Sequence, residues 1–503
     1  MFRRKEDYIG DFKEVARRNI VLILILVLAA LVWIWVFSSA ASQFISAGER
    51  PFRASWGGTG QFQLFGLTIN FNFEGYVDYD YYYYTWGEQF LRGIAPYSSI
   101  FDRSIVGNGI YDTPYFFPPL YVYLCAIGLV LPIDPFGIGF LLTLFGYLTA
   151  FPVYGISAYI SNNRRVAEIS VFTYLFNPIV LFHTVFKWLN PAPFVFFMML
   201  SFYLLMKGRR VSGTLAMVTA ALFKQMAFFL LIPLIIILIK KHEVKFPEGQ
   251  VETTRPLHAV FDLKNISKMA GLAVIYVIAV SLPFLFDIKN YLHYIFEVPG
   301  GVLLTNLTTL PDLSQPITPA AFLIFFGAPI ELVDFVNKAT YYSIFLAISI
   351  LIILPFMLKQ VTPNNTHTNF WRRMLFLTLL LMLSVHIFSP RGIYKYYFVA
   401  IIPFFSIQPV SSVITTKIER SKASIYMILN PILLGLLIII PGRYVYIGIV
   451  TLILIGYVLH EAFSFGVEAL THGFDSFFRH LRISLKIDSE KFATNESTII
   501  PES

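Results

Sequence analysis

Charge is scarce in this chain. Of 503 residues only 14% are Asp, Glu, Lys or Arg, against about 25% in soluble globular proteins. A water-facing surface for a body of this size cannot be made from so few charges, which excludes a soluble class. Cysteine is nearly absent: Cys125 stands alone, so no intrachain disulfide can form and the redox compartment is left undetermined. No internal repeat and no low-complexity tract is present, which counts against the inverted-repeat architectures of many transporters. The net charge of +8 is not a nucleic-acid signature. Lys and Arg come in short clusters between apolar runs, as they do in cytoplasmic loops, so no nucleic-acid partner is expected.

Apolar residues fill the space that charge leaves. The chain is 56% hydrophobic, with 51 Phe and 29 Tyr. Apolar runs of about 17–20 residues recur from end to end, the length that crosses a bilayer. The sequence therefore predicts an all-α polytopic membrane protein. The run from Ile20 to Phe37 is too long for a signal-peptide core and reads as a retained anchor. Placing every basic cluster inside predicts about 12 transmembrane helices: 20–38, 138–160, 166–185, 191–206, 211–223, 226–239, 269–286, 339–358, 374–388, 396–414, 424–440 and 443–460. Both termini are then cytoplasmic. Residues 1–19 form a cytoplasmic N-terminus, 20–414 a transmembrane module, 415–460 a C-terminal transmembrane hairpin and 461–503 a cytoplasmic tail. Two outer loops are long, 39–115 and 287–338, and both are expected to carry interfacial helices. Two proline-bounded apolar segments, 116–132 and 317–330, fit no crossing and are predicted to dip into the outer leaflet. Broken backbone at that depth requires protein or a water-filled cavity beside it, so a cavity is expected on the outer face.

The first outer loop contains EGYVDYDYYYYTWGEQFLRGIAPY at 74–97. From Asp80 onward it suits a short helix ending at Gly93, with Tyr79, Tyr83, Trp86 and Phe90 on one face. Such a face suits a helix lying at headgroup depth. Asp80 is a natural N-cap, and Asp78 has no capping role in this register. Asp78 is either a solvated loop residue or a carboxylate held where water meets lipid, the place for a general base.

On the outer face the predicted cations are Lys224, Arg391 and Lys395, followed by Arg103 and Lys187. Arg391 and Lys395 are four apart and would share a face of a helix; the plain alternative is snorkelling toward headgroups. Lys224-Gln225 interrupts an apolar hairpin, where a charge costs about 2.5–3.5 kcal/mol and defaults to a functional reading. Asn190 either contacts a sugar or serves the turn before Pro191. His183, His293 and His386 share no metal-ligand spacing and read as structural. Asn306-Leu-Thr308 is a glycosylation sequon in the second outer loop.

The sequence also resembles a family. Asp78-Tyr-Asp80, then Arg92-Gly93-x-x-Pro96-Tyr97 and Tyr115-x-x-Pro118-Pro119-Leu120, is similar to the first outer loop of the C-type (GT-C) glycosyltransferases. The likeness is greatest to the catalytic subunit of the first GPI mannosyltransferase and related polyprenyl-phosphate-mannose-dependent mannosyltransferases. Phe176-Asn177-Pro178 with Lys187-Trp188-Leu189-Asn190, and Tyr394-Lys395-Tyr396-Tyr397-Phe398 with Pro403, extend the likeness over 70–410. It departs after Asn190, where Pro191-Ala192-Pro193 replaces the acidic residue the family often carries. The resemblance implies an inverting transfer of a hexose, mannose by the family's habit, from a polyprenyl or dolichyl phosphate to a glycolipid or glycan acceptor. It implies Asp78 and Asp80 as catalytic residues, Lys395, Arg391 and Lys224 on the donor phosphate, and Asn190, Gln225 and Tyr97 on substrate. No cofactor is required by that chemistry; Mg²⁺ or Mn²⁺ on Asp78 and Asp80 is left open, as is a small partner subunit. The rival reading is a transporter or flippase of lipid-linked sugars. Location would be the plasma membrane in a prokaryote and the endoplasmic reticulum in a eukaryote.

Overall fold

The structure, a computed structural model, describes residues 19–46, 58–64, 67–73, 77–98, 101, 103–106, 109–112, 114–240, 261–311, 317–361, 367–407, 444 and 448. It is mostly helical. The helix Ile20–Ser46 carries no charge, and its buried residues Ala29, Trp33, Ala40 and Phe44 recur at helical spacing. They form one stripe against the protein while the rest is left for lipid. Trp33 anchors that stripe by donating from Nε1 to the Leu175 carbonyl at 2.8 Å.

Four helices among the described residues are long and apolar enough to cross a membrane: Ile20–Ser46, Gly137–Ser161, Leu263–Glu297 and Phe370–Phe388. Two bent pairs raise the number to six, Arg164–Leu175 with Pro178–Phe186 at 40°, and Ile330–Tyr341 with Ile344–Lys359 at 64°. The first bend falls at Asn177-Pro178, where proline ends one helix and the Asn177 side chain caps the next at Ile179. The second falls at Ser343, which takes a left-handed backbone at φ 58°.

Among the described residues, four to six of the expected twelve crossings are long and apolar enough to span a membrane. Four of the expected segments form shorter apolar helices, Pro191–Met206, Arg210–Phe223, Gln225–Ile239 and Lys395–Ile407. The first three are cut short by the breaks at Lys207 to Arg209 and at Lys224. Pro191–Met206 is buried on most sides and packs on Gly137–Leu148, Ala150–Ser161 and Arg210–Phe223. A helix surrounded by protein answers to its neighbours rather than to the full bilayer thickness. Expected spans 424–440 and 443–460 (apart from 444 and 448), the tail and residues 1–18 lie outside the described residues. The two proline-bounded segments become short helices, Pro119–Val130 and Pro319–Phe325.

The all-α expectation needs a correction in the first outer loop. Two antiparallel hairpins form there, β1 (Gly58–Leu64) with β2 (Leu67–Phe73) and β3 (Arg103–Val106) with β4 (Gly109–Asp112). Between β3 and β4 the sequence is Gly107-Asn108, the composition that two-residue hairpin turns demand.

The tyrosine-rich stretch differs in two respects from its sequence reading. The helical run begins with a π-helical turn, Val77–Tyr83, and continues as Tyr84–Leu91. Asp80 is therefore inside the run and is not its N-cap. Gly93 ends it at φ 78°, a conformation natural only to glycine. Most of the aromatic face is covered by protein. Tyr79, Tyr83 and Trp86 are buried, with Tyr79 edge-on to Phe44 and tilted against Trp188. The Tyr79 hydroxyl donates to the Pro135 carbonyl at 2.6 Å and accepts from Gly139 N–H at 3.2 Å. Buried rings with a satisfied hydroxyl build a core, and this core fixes the orientation of Asp78.

Candidate functional site

Residues from 78–117, 187–229, 295–301, 343–346 and 385–397 enclose a cavity of about 860 Å³. Part of its lining is polar. Asp78 enters from the π-turn, Lys187 and Asn190 from the turn after Phe186, Lys224 and Gln225 from the break before Met226, and Arg391 from the turn after Phe388. Apolar residues line it as well, among them Met226, Phe228, Phe229, Ile295, Phe296 and Leu346. Three cations against one carboxylate leave the wall with a formal charge of 3 − 1 = +2. A lining that combines cations with apolar side chains is complementary to an amphipathic anion.

Each cation is held by its surroundings. Lys224 donates to Asn190 Oδ1 at 2.5 Å, and its ammonium lies over the rings of Tyr397 and Tyr396 at 4.8 and 5.2 Å. Aromatic faces stabilise a cation without neutralising it. Arg391 lies over Phe116 at 4.8 Å, and Lys187 over Phe182 at 5.3 Å. Asp78 is near enough to Lys224 and Arg391 for charge to act between them. Burial, and then the negative charge of Asp78, pushes the Tyr82 hydroxyl up to about 12, so Tyr82 meets the cavity as a neutral donor.

The structure gathers some of the sequence candidates and separates others. Asp78, Lys224, Arg391, Asn190 and Gln225 line the cavity. Asp80 is buried and is not among the lining residues. Lys395 also does not line it, although its neighbours Tyr394, Tyr396 and Tyr397 do. The helix expected to align Arg391 with Lys395 is absent: a turn carries Gly392 at φ 81°, and the next helical turn begins at Lys395. Tyr97 is a core residue; its hydroxyl donates to the Phe117 carbonyl at 2.8 Å and its ring packs on Tyr115, Phe284 and Tyr291.

The two amides are committed as well. Asn190 accepts from Lys224 and donates to the Tyr83 hydroxyl at 2.8 Å. Gln225 donates to the Phe116 carbonyl, and to the Ile295 carbonyl at 3.4 Å. Both residues shape the wall. His386 is held between the carbonyls of Met382 and Tyr397, and His293 pairs with Glu297. Among the described residues, no three His, Cys, Asp or Glu side chains gather to hold a metal ion. Lys187, placed second by sequence, is buried in the cavity wall. Its signal was a charge beside an apolar run, the same signal that marked Lys224.

The family model for GPI transamidase subunit PIG-U matches residues 107–314. No characterised protein and no solved structure matches the chain. The family match overturns the glycosyltransferase reading, because it is to a different family whose name describes a subunit of a transamidase. A polyprenyl-phosphate-sugar-dependent mannosyltransferase activity, its sugar donor and glycan acceptor, and the transporter alternative are set aside with it. The reason is visible in the site. Short motifs such as Pro96-Tyr97 and Phe176-Asn177-Pro178 suit any core of this kind, where they cap helices and fill space. The pair that suggested catalysis, Asp78 and Asp80, lies outside the matched residues, and only Asp78 reaches the cavity.

Proposed function

We propose that this chain is a membrane subunit of a GPI-transamidase-type complex, and that its cavity holds the phosphate-bearing head of a glycolipid. The observation that carries the reading is the cavity wall. Lys187, Lys224 and Arg391 line one space together with an apolar floor. Two of the three cations, and most of the floor, belong to the residues that match the family. Lys and Arg set beforehand around a dry space bind phosphate strongly, and the apolar floor accepts the chain attached to it. In the same proposal the chain crosses the membrane twelve times, with both termini cytoplasmic and the cavity on the outer face. Its partners are the other subunits of the complex.

Binding tests this directly. The purified full chain, offered a fluorescent phosphatidylinositol glycolipid and a diacylglycerol glycoside lacking phosphate, should retain the first and not the second. Equal retention of both overturns the phosphate reading.

Asp78 gives the proposal a test with a distinctive sign. Among the described residues it is the one carboxylate lining the cavity, so Asp78→Asn raises the wall from +2 to +3. Anionic lipid should then bind about threefold to tenfold tighter, from a relieved repulsion of roughly 1 kcal/mol at partly screened distances. Titration of the labelled lipid into both proteins measures the change. Weaker binding in Asp78→Asn would show that the carboxylate contacts a positive group of the ligand.

A further inference from the structure

We infer that Asn306 is a glycan acceptor: a site for covalent N-glycosylation beside the mouth of the cavity, supplied by a lipid-linked oligosaccharide. Four Asn-x-Ser/Thr triplets occur in the sequence, Asn265-Ile-Ser267, Asn306-Leu-Thr308, Asn364-Asn-Thr366 and Asn495-Glu-Ser497. The charge pattern puts the first, third and fourth on the cytoplasmic side and Asn306 alone on the outer one. Glycan transfer to such triplets takes place on the outer or luminal side of the membrane, and the acceptor must lie on the surface.

The geometry around Asn306 suits an acceptor. The segment is fixed just before it. Val302 N–H donates to the Pro390 carbonyl at 2.7 Å, and the Asn337 side chain grips Leu304 through both its N–H, at 3.1 Å, and its carbonyl, at 2.9 Å. Just beyond that clamp, residues 305, 306, 308, 309 and 310 are exposed. Asn306 Oδ1 accepts from Thr308 N–H at 3.0 Å and from the Thr308 hydroxyl at 2.7 Å. The carboxamide oxygen is thereby occupied and polarised. The nitrogen, the atom that is modified, makes no hydrogen bond to the described residues. Gly300 and Gly301, a few residues earlier, line the cavity.

The chemistry balances without a further reactant. The Asn306 nitrogen forms a bond to C1 of the donor sugar and gives up one proton. The bond from C1 to the lipid diphosphate oxygen breaks, and the lipid diphosphate leaves with the electron pair. An oligosaccharyltransferase of the same membrane performs the transfer.

The inference does not depend on what the cavity binds. Its test uses the full chain produced in a host that glycosylates a control membrane protein in the same culture. Glycopeptide mass spectrometry and gel mobility before and after glycosidase are read for wild type, Asn306→Gln, Thr308→Ala and Thr308→Ser. The expected result is a glycan on the peptide containing Asn306, lost in Asn306→Gln and Thr308→Ala and kept in Thr308→Ser. Asn265→Gln, Asn364→Gln and Asn495→Gln should leave it unchanged. Wild-type protein without glycan beside a glycosylated control overturns the inference. A glycan on Asn265, Asn364 or Asn495 also overturns it, because the faces would then be reversed.

Discussion

Lys224→Met is expected to weaken binding of the phosphate-bearing glycolipid roughly tenfold to hundredfold, the worth of one charge-assisted hydrogen bond of about 1.5–3 kcal/mol. Methionine keeps an unbranched chain of similar reach and removes the charge. The ammonium now sits on Asn190 Oδ1 and three aromatic rings, Tyr397, Tyr396 and Phe194, at 4.8, 5.2 and 5.8 Å. Those contacts suit an apolar thioether nearly as well, so the fold should survive. Removing a charge from so buried a position also removes its desolvation cost. Thermal unfolding of the apo protein in detergent should therefore be unchanged or slightly later, while lipid titration shows the loss. Arg391→Leu should act in the same direction. Intact binding in Lys224→Met would make the ammonium a structural cation held by its rings, and the cavity would lose its strongest claim to phosphate.

That claim was partly readable in the sequence. Lys224 between Leu222 and Met226 is a charge where apolar residues are expected, and its position in the cavity wall follows from the break it creates. Arg391 was readable for the same reason, as a lone cation after an apolar run. What could not be read was orientation. Asp78 and Asp80 are two apart, and an α-helix or a strand places such a pair differently. The π-turn at Val77–Tyr83 sends Asp78 to the cavity and buries Asp80, and nothing local in the sequence marks that turn. The aromatic face of the same stretch was correctly grouped, since Tyr79, Tyr83 and Trp86 do share a side. That protein would cover these rings was not legible, because a headgroup layer and a protein core both favour rings with one polar atom. Asn190, Gln225 and Tyr97 were placed on substrate by the family resemblance. Their hydrogen bonds go to partners 107, 109 and 20 residues away, and such pairings are set by tertiary structure alone. The helices Pro191–Met206, Arg210–Phe223 and Gln225–Ile239 are shorter than a full span for a related reason. Hydropathy rewards any apolar helix, whether it faces lipid or other helices.

Gly137→Val is the substitution expected to damage the fold most. Gly137 opens the Gly137–Leu148 helix where it meets the end of Pro119–Val130. A Cβ there would lie 1.9 Å from the Gly128 carbonyl oxygen and 2.9 Å from its carbon. Both are backbone atoms, so no side chain can swing aside and one helix end must move. Gly128 is equally constrained: a Cβ on it would meet the Ile138 backbone at 2.7 Å. The two helices thus touch at a pair of glycines, as close membrane helix contacts do. Forcing them apart should cost about 1–3 kcal/mol or more, lowering the apparent melting temperature in detergent by several degrees. Gly271→Ala in Leu263–Ser281 is the matched control. Nothing lies within 4 Å of its added Cβ, and alanine is the better helix former by about 1 kcal/mol, so that variant should melt no earlier than wild type. The damage should also reach the cavity. The Pro119–Val130 helix directly follows Phe116 and Phe117, which line the cavity, and Phe116 is the ring beneath Arg391. Gly137→Val should therefore lose lipid binding together with stability. Lys224→Met should lose binding alone, and that difference separates a broken scaffold from a missing charge.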